Sequence, residues 1–289
     1  MATSKEIRNR IGSVSNTKKI TRTMELVSTA KSKKAVDKVV ASRPYAEKIK
    51  QLIASLAAQG EVADHPLLRR HSHVRRVLIV VVTANRGLCG GYNSNILRMS
   101  AALIEKYKKQ NIETIVHLIG KKAITYFNYQ KIPYAKSFTH IDDKVGFAVA
   151  QTFADDYMEQ FSIENVDKIE IVFTKYISAA QQKPITETVL PINIEEKASG
   201  KKYDSPFSFE PAPEIILKNL LPRAIRGSVY QALLDAGASE QIARRIAMKN
   251  ATDAASDMIK SLTLQYNRIR QAKITQEIAE IVGGAAAIQ

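Results

Sequence analysis

Apolar residues recur at helical spacing at both ends of the chain and form unbroken runs in its middle. Near the N-terminus Ile7, Ile11 and Val14 step by four and three, Met24 and Val27 by three, and Val36, Val39 and Val40 continue the stripe. Ile49, Leu52, Ile53 and Leu56 carry it beyond Pro44. The period predicts a helical segment over 1–58. Pro44 is expected to bend or break it, because the ring lacks an N–H and clashes with the preceding turn. The last 75 residues repeat the pattern: Ala251, Ala255, Met258, Leu262, Tyr266 and Ile269, then Ile274, Ile278, Ile281 and Ala285, with a step of five breaking the phase. Neither Gly nor Pro occurs from Ala238 to Val282. Spacing near 3.5 predicts a two-helix coiled coil with a left-handed supercoil. The small residues Ala251, Ala254, Ala255 and Ala272 allow close approach of a partner helix.

The middle has a different rhythm. Val77 to Thr83 is a continuous β-branched and aliphatic run, as expected of a strand buried on both faces. A glycine-rich loop follows, then a helical pattern over 93–110, a strand over Thr114–Ile119, a helix over 121–130 and a short strand over Tyr134–Phe138. A helix over Val145–Phe161 and strands over Ile169–Tyr176 and Thr186–Ile192 complete it. This alternation predicts an open, mainly parallel sheet with helices on both faces. The connection from Ser178 to Pro184 is too short for a helical crossover, which leaves an antiparallel last strand open.

Length decides how these parts combine. A domain of about 130 residues is roughly 35–40 Å across, whereas a helix of about 50 residues is roughly 75 Å long. The terminal helices are therefore expected to project and to bury their stripes against each other, most simply antiparallel, or against partners. The fold expected is α/β: a Rossmann-like open sheet domain inserted between long N- and C-terminal helices that form an antiparallel left-handed coiled coil. Its parts are an N-terminal coiled-coil helix over 1–58, the α/β domain over 75–195 and a C-terminal coiled-coil helix over 210–286.

Composition narrows the chemistry. The chain has 289 residues, 43 Lys+Arg against 28 Asp+Glu, a net charge of +15 and one cysteine. No disulfide framework can form within it, and no apolar run is long enough to span a bilayer. The N-terminus carries no secretory cleavage pattern and reads as part of the mature chain. Residues 1–50 hold 13 basic and 4 acidic residues, and Arg69, Arg70, Arg75 and Arg76 form a second basic cluster. Such a balance points to an acidic or polyanionic partner.

No catalytic constellation accompanies it. The loop from Arg86 to Asn93, RGLCGGYN, lies where a nucleotide phosphate sits in a dinucleotide-binding fold, but has neither G-x-G-x-x-G nor a P-loop spacing. It reads as a tight turn that needs positive φ. Cys89 has no nearby His and reads as structural. His65, His71, His73, His117 and His140 lack metal-ligand spacing. Asp142–Asp143 and Asp155–Asp156 read as helix caps or solvated faces. No cofactor and no metal site is expected. The basic first helix has no aromatic interleaving, with Tyr45 the only aromatic residue in the first 60. It reads as solvated or protein-binding, with nucleic-acid binding by a degenerate Rossmann protein as the alternative. A catalytic nucleotide-binding enzyme is a third possibility, weakened by the missing phosphate motif.

Four segments resemble one family. Ile20–Ala35 (ITRTMELVSTAKSKKA), Ile246–Ala287, the loop RGLCGGYN and Tyr203–Pro211 are similar, in order along the full chain, to signatures of the gamma subunit of F-type ATP synthases. The resemblance implies a non-catalytic central rotor shaft. Its coiled coil enters a hexamer of three alpha and three beta subunits. Its α/β domain and foot bind the epsilon subunit and the c-subunit ring, and no nucleic acid is bound. It implies a peripheral location on the cytoplasmic face of a bacterial plasma membrane. By motif position, Met24, Arg244, Arg270, Gln271, Thr275 and Glu277 are the beta-contact and coupling residues, and Tyr203, Phe207 and Glu210 the foot and ring contacts. With one cysteine, a chloroplast-type regulatory thiol pair is excluded. The chain departs from the family at Thr83-Ala84-Asn85-Arg86, where Ser-Asp-Arg is commoner, so the local bonding of that loop is expected to differ.

Overall fold

The computed structural model describes residues 4–57, 65–69, 73–141, 145–192 and 213–286. Contacts divide the chain into two compact units, one of Ala30–Ala243 and one of Met1–Thr29 with Arg244–Gln289. The elements are α1 (Ser4–Ala57), β1 (Arg76–Val82), α2 (Tyr92–Lys109), β2 (Glu113–Ile119), α3 (Lys121–Gln130), β3 (Lys136–Phe138), α4 (Phe147–Ser162), β4 (Lys168–Tyr176), β5 (Gln182–Leu190) and α5 (Pro213–Ala286).

In the larger unit the strands form one sheet of order β3-β2-β1-β4-β5. The first four are parallel and β5 is antiparallel to β4; the expected connection, Ser178–Pro184, is shorter still, because β5 already begins at Gln182. Successive side chains of a strand point to opposite faces. On β1, Leu78, Val80 and Val82 enter a core shared with α1, α4 and α5, while Val77, Ile79 and Val81 enter a second core under α2 and α3. Both faces are covered, which is why β1 reads as an unbroken apolar run. Each of these aliphatic side chains contributes about 1.5–3 kcal/mol by leaving water.

Within this unit α1 and α5 run antiparallel. Val39 packs with Leu234, Ala238 and Ile242, and Ser42 Oγ donates to Gln231 Oε1 at 2.6 Å. The Arg43 guanidinium lies 3.7 Å from Asp235, donates to the Tyr176 carbonyl and sits over the Tyr176 ring at 5.6 Å. Pro44 does not end α1, which continues to Ala57. The turn after it is held by burial of Ile49, Ile53 and Leu56, so packing outweighs the lost hydrogen bond. Pro222 likewise lies inside α5.

In the smaller unit the seam is narrower and more polar than the apolar pattern predicts. Ile7, Thr21, Ser28, Met248, Thr252, Ala255 and Leu262 are buried. Val27 and Met258, expected in the stripe, are exposed, as are Val40 and Leu52 in the larger unit. The buried positions of α1 in this unit, 7, 21 and 28, are instead spaced by multiples of seven, the period that left-handed coiled coils share; Ile49, Ile53 and Leu56 are buried in the sheet core of the larger unit. Serine and threonine can occupy such a seam because they are small and can bond back to their own helix. Thr21 Oγ1 lies 3.1 Å from the Lys18 carbonyl, and Thr252 Oγ1 2.8 Å from that of Met248. From Arg270 to Gly283 every residue is exposed, Ile274, Ile278, Ile281 and Val282 included.

Candidate functional site

The proposed coupling residues fall into two groups within the helix-pair unit. Met24 and Arg244 lie on the paired portion. Met24 is half-buried, in the same turn as the Arg22–Glu25 ion pair of 2.9 Å. Arg244 is only 8% exposed and is engaged by other groups of the chain, as a buried guanidinium must be. Arg270, Gln271, Thr275 and Glu277 lie on the uncovered run and are exposed. There Lys273 and Glu277 approach at 3.5 Å, and Gln276 donates to Glu280 at 2.8 Å. The two groups do not converge. Thr252, which faces Thr21 at 2.9 Å, is 18 residues from Arg270, roughly 27 Å along a helix. Tyr203, Phe207 and Glu210 lie outside the described residues.

The glycine loop closes on itself. Gly90 has φ of 57° and Leu88 of 62°, so positive φ is used, once by a residue that adopts it reluctantly. Asn93 accepts from the Ala84 N–H at 3.0 Å and donates to Cys89 Sγ at 3.1 Å. Cys89 is buried, as its structural reading requires. Asn85, at the family's aspartate position, donates to the Ile141 carbonyl at 3.0 Å and accepts from the Lys121 N–H at 3.0 Å. An amide can do both; a carboxylate could only accept. Asn85 and Thr83, whose Oγ1 accepts from the Ala123 N–H at 3.0 Å, thus satisfy two of the free amides at the start of α3.

In a sheet of this winding a ligand binds outside the carboxyl ends of the strands, where strand order reverses, here between β1 and β4. Protein fills that place. Tyr92 OH, at the start of α2, donates to the Ala236 carbonyl at 3.1 Å. Ser239 Oγ donates to the Thr174 carbonyl, at the end of β4, at 3.0 Å, and Ala243 packs against the core under α2. Helix α5 occupies the crevice in which a dinucleotide would lie.

The remaining candidate groups are structural. His65 Nδ1 accepts from the Leu67 N–H at 3.2 Å, and burial, then Lys218, holds its pKa down. Burial lowers His117 to about 4, with Lys136 adding to the effect and Asp156 opposing it. His73 and His140 are exposed, and His71 lies outside the described residues. Asp155 and Asp156 are not caps: they sit inside α4 and pair with Arg226 at 2.7 Å and Lys136 at 3.1 Å. Asp142 and Asp143 lie outside the described residues. Among the described residues no cluster of three His, Cys, Asp or Glu could hold a metal, and no helix is long and apolar enough to cross a membrane.

Two buried polar groups were missed by sequence reasoning. Glu170 on β4 receives Tyr107 OH at 2.9 Å and is ion-paired with Lys168. Burial, then the Glu170 charge, raises the Tyr107 pKa. Burial lowers that of Lys168, but hydrogen bonding and charge from Glu170 outweigh it, so the net shift is upward. A lone acid inside the run IEIVF was the available signal. Asp235, beside Arg43, is pushed up to about 6 by burial, against the opposing pull of Arg43, Gln231 and Lys175; nothing in the helical pattern marks it.

The family described as ATP synthase matches residues 3–288. The ATP synthase gamma chain of Leptospira biflexa is 53% identical over 288 residues, covering all of both chains. That of Gemmatimonas aurantiaca is 42% identical over 292 residues, again covering all of both. The fold is similar to a chain of the Euglena gracilis mitochondrial ATP synthase OSCP/F1/c-ring assembly, with TM-score 0.66, 18% identity and coverage of 99% of this chain and 94% of that one. It is also similar to a chain of the central stalk and c-ring structure of the Tetrahymena thermophila mitochondrial ATP synthase, with TM-score 0.60, 24% identity and coverage of 80% and 99%. With a sheet whose ligand crevice is filled by its own helix and relatives matching it from end to end, the chain belongs to the ATP synthase gamma chain family.

Proposed function

We propose that this chain is the rotor shaft that couples ring rotation to conformational change in a catalytic hexamer. The observation that carries the reading is the uncovered run from Arg270 to Gly283, with Ile274, Ile278, Ile281 and Val282 all exposed. Isolated exposed apolar residues are ordinary, but four on one helix end ask for an enclosing partner. Three alpha and three beta subunits supply that sleeve, and the epsilon subunit and c-ring bind the α/β unit and foot. The chain is peripheral to the cytoplasmic face of the membrane and carries no catalytic site of its own.

Two different helices make an asymmetric rod, so each of three surrounding beta subunits meets a different face. Shifting a two-state subunit from 1:99 to 99:1 requires about 5.5 kcal/mol of differential contact. One exposed ion pair, worth about 0–1 kcal/mol, is insufficient. Several contacts per face are needed, and Met24, Arg244, Arg270, Gln271, Thr275 and Glu277 are assigned to them, with Tyr203, Phe207 and Glu210 on the foot. The test is reconstitution. The purified chain hydrolyses no ATP, and with alpha and beta subunits it forms a complex in which ATP drives its rotation. Hydrolysis by the chain alone, or failure to assemble, overturns the reading. Binding to duplex or single-stranded nucleic acid that weakens steeply with salt would favour the alternative.

A further inference from the structure

We propose that Arg43 and Asp235 form a proton-operated clasp, which ties α5 to α1 and the end of β4 when Asp235 is ionised and lets go when it takes up a proton. The three elements meet here within the larger unit. Asp235 on α5 is 2% exposed, and its Oδ1 accepts no hydrogen bond among the described residues. Arg43 of α1 is in ion-pair range, with Nη2 3.7 Å away, too far for a hydrogen bond. The same nitrogen donates to the carbonyl of Tyr176, the last residue of β4, and the guanidinium lies 5.6 Å from the Tyr176 ring centroid. Arg43 is thus held at β4 and stands about 1 Å short of a charge-assisted bond to the carboxyl.

A carboxyl so placed has two arrangements. Ionised and buried, it draws the guanidinium across the gap, because an uncompensated buried charge is far costlier than a small side-chain rotation. Nη2 carries two N–H groups, so one bonds Asp235 while the other keeps Tyr176. Protonated, the carboxyl exerts no such pull and Arg43 stays on Tyr176 alone. The other groups around Asp235 do not replace Arg43. Gln231 on α5 and Lys175 on β4 favour the carboxylate, whereas Glu187 on β5 opposes it and is itself paired with Lys50 of α1 at 3.5 Å. Burial outweighs them and places the exchange near pH 6, so the clasp is closed at neutral pH and opens on acidification. The helices stay seated in both arrangements, since Ile49, Ile53, Leu217 and Leu221 are buried in the sheet core; what opens is the cross-link from α5 to the end of β4. Global stability still falls as pH rises, because the unfolded chain ionises more readily; the clasp selects between two folded arrangements. It does not depend on the rotor assignment.

Nuclear magnetic resonance of the full chain tests it, following the Asp235 carboxyl carbon and the Arg43 side-chain nitrogens between about pH 3 and 8. In the native chain the two signals change together, with one midpoint at or below about 6, since closing the gap favours the carboxylate. Asp235→Asn leaves the Arg43 signal flat. Arg43→Met raises the proton affinity of Asp235 about tenfold or more, the effect of removing a neighbouring cation, and Arg43→Lys restores most of the loss. If a variant does not fold, the native chain decides by itself, a shared midpoint supporting the clasp. An Arg43 signal that stays flat while Asp235 titrates, or that moves equally in Asp235→Asn, overturns it. So does an Asp235 carboxyl that never titrates in this range, or one whose midpoint is unchanged in folded Arg43→Met.

Discussion

Gly120→Ala isolates a constraint that no motif announces. Gly120 joins β2 to α3 with φ of 97°, and an added Cβ would lie 2.2 Å from the Thr83 carbonyl oxygen and 2.8 Å from Thr83 Oγ1. Thr83 cannot simply withdraw. Its N–H and Oγ1 bond the Ile119 carbonyl at 2.8 Å and 3.1 Å, and Oγ1 accepts from Ala123 N at 3.0 Å. Forcing alanine into this backbone conformation costs about 1–3 kcal/mol. Moving Thr83 by about 1 Å to relieve the overlap sacrifices at least one buried hydrogen bond, about 1–3 kcal/mol more. The sum, about 2–6 kcal/mol, is a large share of the ~5–15 kcal/mol that holds a domain together. The assay is amide hydrogen exchange of β1 and β2 together with urea unfolding. Gly87→Ala, inside the motif loop, serves as the contrast: its Cβ would meet only the Lys122 side chain, at 3.7 Å, and the change stays within about 0.5 kcal/mol. Loss below about 1 kcal/mol in Gly120→Ala, or equal loss in both variants, refutes the reasoning.

Other substitutions test separate steps. Asp235, raised from 3.8 to about 6 by burial, contributes stability that is fully present below about pH 4 and lost as pH rises through 6. His117, lowered from 6.5 to about 4, contributes stability that is full above pH 6.5 and lost as pH falls through 4. Each is worth on the order of 2–3 kcal/mol, and they oppose one another. Urea midpoints between pH 4 and 6.5 should therefore rise with pH in Asp235→Asn and fall in His117→Leu; equal slopes in both variants contradict the assignment. Leu262→Ala, at a buried seam position, should cost about 2–4 kcal/mol in thermal unfolding. Ile278→Ala, 56% exposed, should cost under about 0.5 kcal/mol alone yet weaken assembly with alpha and beta subunits. Met24→Lys, in the proposed rotor, should lower proton pumping several-fold per ATP hydrolysed, by placing a further cation on a basic face; an unchanged ratio removes Met24 from the coupling set.

Local patterning was sufficient for the sheet. β1 announces itself because a strand buried on both faces admits only apolar residues, and the short Ser178–Pro184 segment already left an antiparallel last strand open. The end helices were legible from their period and their lack of Gly and Pro. Their facing was not. Val27 and Val40 are better hydrophobes than Thr21 and Ser28, yet the latter are buried. Phase in a helix pair is set by which residues fit against the other helix, and small hydroxyl side chains that bond their own backbone fit closely. The glycine loop was identified as a turn, but the closest backbone approach lies at Gly120, brought to Thr83 by pairing of strands distant in sequence.

The amino-acid sequence by itself thus determined the element order, the mainly parallel sheet, the long terminal helices and the family. Local conformation and burial period are written into neighbouring residues. Only the tertiary structure decided that α5 fills the ligand crevice, that Asp155 and Asp235 are ion-paired groups, and that Thr21 meets Thr252 across the smaller unit's seam. Each of these joins residues from about 70 to more than 200 positions apart, a relation that no window of local pattern contains.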